Sequence, residues 1–167
     1  MDPLTEKDIR TSFVNCSKGE ASRLRLPTGF PDTPWEDLDY LGWTDPTAPQ
    51  RSLIVMPGAG GPLGILLRSA TGKPTGAVRS SMCQICLTGH DLAGVRLLVA
   101  PRAGAAGRQG NSVGQYICAD LACSLYLRGK RQPALRLVRH PESLTLQERV
   151  DRAMANLTAF AAKVTAR

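Results

Sequence analysis

The sequence predicts an α+β fold in which a small, mostly antiparallel β region is flanked by helices at both ends. Three observations carry that expectation. The 167 residues include 16 Gly and 12 Pro with only 5% aromatics, a mixture that favours short strands and frequent turns over a helical bundle. Short apolar runs alternate with those turns. A long amphipathic pattern closes the chain.

The first helix signal is Leu4 to Ile9, where Thr5 can cap, Asp8 follows three residues on, and Leu4 and Ile9 are spaced as a hydrophobic staple. Phe13 continues the apolar face, and Lys18-Gly19 reads as its stop. Residues 27–50 read as an ordered loop pinned by Trp35, Tyr40, Leu41 and Trp43, because a disordered linker rarely carries two Trp. Arg51–Met56 and Leu63–Arg68 form a hairpin about the turn Pro57–Pro62, with its register left open. Strands are expected at Val95–Val99 and Ser112–Ile117, with a loop over 101–111 between them. Asp120–Arg128 has helical composition and stops at Gly129. Leu144–Val164 is the clearest helix: Thr145 and Glu148 make a capping box, and positions 146, 150, 153, 157, 160 and 164 share one apolar face.

Two cysteine pairs carry the chemistry. Cys83-Gln84-Ile85-Cys86 lets a tight turn aim two thiolates at one point, and Cys118 and Cys123 enclose four residues between a strand end and a helix start. A knuckle, a hairpin and a helix start make the treble-clef arrangement. Four thiolates suit one structural zinc ion with no open coordination position. A redox pair at Cys83 and Cys86 is the rival reading, but such a pair opens a helix, and Leu87-Thr88-Gly89-His90-Asp91 is a poor helix start. His90 in place of one thiolate is a second alternative. His140, before Pro141, reads as a loop residue, and Cys16, far from the pairs, as a free thiol.

The net charge of +7 is uneven: residues 1–50 hold nine acids against five bases, whereas residues 68–139 hold eleven bases against two acids. Such a basic field attracts phosphate backbones or an acidic protein face. Arg102, Arg108, Arg128, Lys130 and Arg131 flank the cysteines and are the candidate partner-binding residues. No run approaches the roughly 18–20 apolar residues of a membrane helix, and the N-terminus lacks a secretory pattern, so a cytoplasmic protein with reduced thiols is expected. A phosphate loop, a nucleophile elbow and an acid–base set are all missing from the sequence, which points to a binding protein and not to an enzyme.

Ser81–Cys86, Arg102-Ala103-Gly104, Gly107-Arg108 and Gly110–Cys123 together resemble the treble-clef zinc finger of FBP-domain proteins, the elongation-factor-G-binding proteins of the fusidic-acid-resistance (FusB) type. Leu38–Pro46 resembles the short form of that family from high-GC bacteria. The resemblance implies elongation factor G as partner, and the basic residues beside the finger would also suit contact with the ribosome or its RNA. The family's resistance proteins also carry an N-terminal helical bundle, which residues 1–50 do not supply. The expected organisation is residues 1–78 as helix, aromatic loop and hairpin packed on the finger, 79–132 as the finger, and 133–167 as the C-terminal helix. The competing expectation is a basic zinc-finger protein that binds RNA or the ribosome without touching elongation factor G.

Overall fold

A computed structural model describes residues 1–69, 82–91, 94–133 and 142–166. The 78/79 boundary, the loop reading of His140, and the bases Lys73, Arg79, Arg136 and Arg139 lie outside the described residues.

The centre is one five-stranded antiparallel sheet in which neighbours in sequence are neighbours in space: β1 (Leu41–Thr44), β2 (Arg51–Gly58), β3 (Gly61–Ser69), β4 (Val95–Pro101) and β5 (Ser112–Cys118). Side chains alternate faces along a strand, and here both faces are covered. Ile54, Met56, Ile65 and Leu67 point into one core, which also holds Leu98, Ile117 and the cysteines. Leu53, Val55 and Leu66 point into the other, with Ile9, Leu24, Leu41 and Trp43. A strand buried on both sides loses polar–apolar alternation, which is why residues 53–56 read as an unbroken apolar run. The register that the sequence left open is fixed by Ile54 opposite Ile65 and Gly58 opposite Gly61. Only Ala59 and Gly60 remain to turn the chain, with Gly61 at φ +120°, a region closed to other residues.

Helix α1 (Glu6–Ser12) crosses β3 where Gly64 leaves room: a Cβ there would sit 2.4 Å from Ser12 Oγ. The chain then continues beside the strand, Val14 N–H donating to Gly64 O at 3.0 Å. Among the described residues, β3 and β4 pair only at Arg68–Val99 and Ser69–Leu98. Asn15 bridges the gap that opens beyond, its amide donating to Leu66 O and Pro101 O at 2.9 Å each and accepting from Leu66 N–H at 2.8 Å. These bonds satisfy strand groups that would otherwise be stranded.

Three expectations are corrected. The first helix stops at Ser12, and Lys18-Gly19 begins a second helix, α2 (Lys18–Arg23), because Ser17 and Glu20 form a capping box: a start signal lay where a stop was read. Residues 27–50 are ordered as expected, but they contain two 3₁₀ turns (Phe30–Asp32, Trp35–Asp37) and the edge strand β1. Loop 101–111 contains the short helix α3 (Gly104–Arg108).

The C-terminal helix α5 (Leu146–Thr165) is capped by Thr145 and Glu148 and buries Val150, Ala153, Leu157, Phe160, Ala161 and Val164 against the sheet. Leu146 is 42% exposed and leaves the expected face. Among the described residues, no helix is long and apolar enough to cross a membrane.

The three capping carboxylates make stability acid-sensitive. Hydrogen bonds hold Asp8 (Thr5 side chain first), Glu20 (Ser17 backbone first) and Glu148 (Thr145 side chain first) below the ordinary carboxyl value. A depressed carboxyl stabilises the fold above its unfolded-state value, and that contribution is lost as pH falls through the folded value. Melting of Glu148→Gln should therefore fall less steeply than wild type between about pH 5 and about pH 3. Parallel curves would remove the capping carboxylate from the acid response.

Candidate metal centre

The knuckle is a turn over Gln84–Cys86, closed by Cys83 N–H to Thr88 O and Leu87 N–H to Cys83 O, each 3.0 Å. Leu87 takes φ +58°, a left-handed conformation that costs a non-glycine residue energy and is held by these bonds. Ile85 N–H points at Cys83 Sγ from 3.4 Å, as knuckle amides do toward thiolates. Cys118 ends β5 opposite Val95. A second left-handed residue, Leu121 at φ +59°, turns the chain so that Cys123 opens helix α4 (Cys123–Leu127). Knuckle, hairpin β4–β5 and helix start converge as the spacing predicted.

The four Sγ atoms lie within 4.8 Å of one another, and all four side chains are buried. Cys83–Cys123 and Cys118–Cys123 are 3.7 Å apart and Cys86–Cys118 is 3.6 Å. A tetrahedral zinc site with metal–sulfur bonds near ~2.3 Å has sulfur–sulfur edges of ~3.8 Å, so the donor set fits the ion. The electrostatics agree. Cys123 is pushed well above the ordinary thiol value by contact with Cys118 first, then Cys83 and Cys86, with burial adding to it, while hydrogen bonds from Cys118, Cys123 and Cys86 favour the thiolate of Cys83. Four thiolates in one dry space repel one another, and a cation between them relieves that repulsion. The four cysteines are positioned to hold one zinc ion.

His90 is not a ligand. The four sulfurs form the group, and the imidazole stands behind one of them: Nε2 lies 3.3 Å from Cys118 Sγ, in reach to donate to its thiolate. The ring is buried, edge-on to Tyr126 at 4.8 Å, in space that exists because residue 94 is Gly; a Cβ there would sit 2.5 Å from His90 Cβ. The redox reading of Cys83 and Cys86 also lacks its helix, since the pair spans a turn and irregular chain follows at 87–90.

The segment before β1 clamps the site from outside, which sequence reasoning missed. Tyr40 OH donates to Leu121 O at 2.9 Å, and Gly42 lets β1 approach that loop, where a Cβ would be 2.7 Å from Leu121 Cβ. Asp39 accepts both arms of Arg128 at 2.7 and 2.8 Å, while its N–H donates to Ser124 Oγ at 3.0 Å. The Asp39 hydrogen bonds hold Arg128 more firmly protonated. Lys130 reaches Asp37 at 2.5 Å, and Arg131 reaches Asp120 at 3.2 Å. Asp120 also accepts from Tyr126 OH at 2.7 Å. Of the five candidate partner-binding bases, then, Arg128, Lys130 and Arg131 sit on internal carboxylates. Arg102 donates to Ala166 O at 3.2 Å, and Arg108 is exposed at the end of α3. The signal that was available is the acidic run Glu36 to Asp39, read as loop surface.

A family model, the FBP C-terminal treble-clef zinc-finger, matches residues 8–164. The chain belongs to that family. No curated protein and no solved structure matches it. The match to this FBP finger runs well beyond the cysteines and takes in the clamp of Asp37–Gly42, the whole sheet and most of α5.

Cys118→Ser should lose zinc and the fold's stability with it, since structural zinc contributes on the order of 10 kcal/mol. One zinc per chain and unchanged melting in that variant would refute the four-thiolate centre. His90→Phe keeps a ring edge against Tyr126 but removes the donor. It should still bind one zinc, with affinity lower by about 10–100-fold in competition with a chelator. An unchanged affinity would leave His90 as packing alone.

Proposed function

We propose that this protein is a zinc-stabilised binding protein of the translation machinery that docks on elongation factor G in the cytoplasm, and that it is not an enzyme. The observation that carries the reading is membership of the FBP finger family across nearly the whole chain. The motifs of residues 81–123 resemble those of proteins that bind this factor. A centre closed by four thiolates supports binding over catalysis, because it leaves no position on the ion for a substrate.

The charge distribution favours a protein partner over RNA at the finger. Arg128, Lys130 and Arg131 neutralise Asp39, Asp37 and Asp120, so the sequence's basic run is not a bare phosphate-binding stripe. Arg108 remains outward-facing beside Arg102 on the 101–111 loop. Against an acidic protein surface such a charge speeds encounter and fixes orientation.

The zinc-loaded protein, treated with nuclease, should retain purified elongation factor G on a column or in calorimetry. Arg108→Glu should slow the association, by several-fold at low salt, while zinc content stays the same. Binding that disappears with nuclease treatment would replace this reading with RNA or ribosome contact.

A further inference from the structure

A cleft of about 530 Å³ opens on the side of the molecule built by α1, α2 and the β1–β2 turn. Three guanidinium-bearing residues line it, Arg10, Arg23 and Arg25, together with the hydroxyl-bearing Ser22 and Thr47. None of the three arginines belongs to the basic run of the finger.

Their states differ in a way that suits a ligand. Arg10 is fixed as part of the wall. Its Nε donates to Glu6 at 2.7 Å, and one terminal nitrogen donates to Ala21 O, Ser22 O and Leu24 O at 3.1, 2.8 and 2.9 Å. It thereby closes the C-terminal end of α2, whose carbonyls would otherwise repel an anion at this wall. Arg25 is anchored through its backbone. Its carbonyl accepts from Trp43 Nε1 at 2.8 Å, and its N–H supports the buried Asp45 carboxylate. Asp45 is turned inward, engaged by Thr47 and Arg51, so its charge is answered within the protein. The side chains of Arg23 and Arg25 are exposed and form no ion pair with any described residue. By contrast, Arg128, Arg131 and Arg152 are each paired with a carboxylate, Asp39, Asp120 and Glu142. Among the described residues, the nearby carboxylates are committed within the protein, Glu6 to Arg10 and Asp45 to Thr47 and Arg51.

We infer that this cleft is an anion site for a phosphate group, with Arg23 and Arg25 as the planar two-pronged donors and Arg10 as the fixed charge of the wall. Guanidinium forks match phosphate oxygens in pairs, as a lone ammonium donor does not; the Ser22 and Thr47 hydroxyls already donate to Gly19 O and Asp45, so the arginines carry the recognition. The volume admits more than one phosphate, so the group is carried either on an RNA backbone or on a small polyphosphate. The inference stands apart from the elongation factor G reading and does not depend on it.

Titration of the full-length, zinc-loaded protein with inorganic pyrophosphate and, separately, with a short oligouridylate tests it. Binding is expected for at least one, and Arg23→Gln/Arg25→Gln should weaken it by about tenfold or more with zinc content and melting unchanged. Arg108→Gln, outside the cleft, should leave it as it was. Binding of the oligonucleotide alone assigns an RNA backbone, with a linear loss of log affinity against log salt. Binding of pyrophosphate assigns a small phosphate compound. The inference is overturned if neither probe binds, if the double variant binds as wild type does, or if Arg108→Gln loses as much.

Discussion

Four thiolates drawn to one point hold the rest of this structure in place. The knuckle contributes two sulfurs and the end of β5 and the start of α4 one each, all buried and crowded against one another. Without a cation, ionising that many buried thiols side by side is a cost. With zinc the cluster becomes the strongest single tie in the molecule. The two left-handed leucines, at 87 and 121, are tolerated where the chain must bend to bring those sulfurs in.

Around that tie the protein builds outward in shells. His90 stands behind Cys118, Tyr40 holds the Leu121 carbonyl, and Asn156 of α5 donates to Ile85 O at 3.0 Å, so the long helix is fastened to the knuckle itself. The sheet extends the finger's hairpin through β3 to β1, and its two covered faces put apolar side chains from every strand out of water. The finger is therefore one end of a continuous sheet, and the segment before β1 closes over it from the other side.

Charge is arranged by the same logic. The basic excess of the finger and the acidic excess of the N-terminal segment meet as ion pairs across 89 and 93 residues of sequence, Arg128 with Asp39 and Lys130 with Asp37. The Arg128–Asp39 pair is two-pronged and only partly exposed, which makes it worth more than an ordinary surface contact. Among the described residues, Arg96 and Arg108 are exposed without a carboxylate partner, as are Arg23 and Arg25 at the cleft.

Local chemistry is what the sequence determined by itself. Thiol spacing named the four ligands, a capping box and a 3.6-residue period located α5, and paired apolar runs about a Gly-Pro turn located the β2–β3 hairpin. Each of these depends on residues within a few positions of one another. Tertiary structure decided the remainder. β1 is too short to announce itself and exists because β2 and Gly42's approach to Leu121 hold it. Asn15 is an ordinary loop residue until β3 and β4 part beside it. His90 stood open as a fourth ligand until the fold filled the site with sulfur. The basic run looked like a free surface because a sequence shows how many charges a segment has, and only the fold shows which opposite charge each one meets. Long-range pairing leaves no periodic trace in the chain, and that is the physical reason these features were hidden.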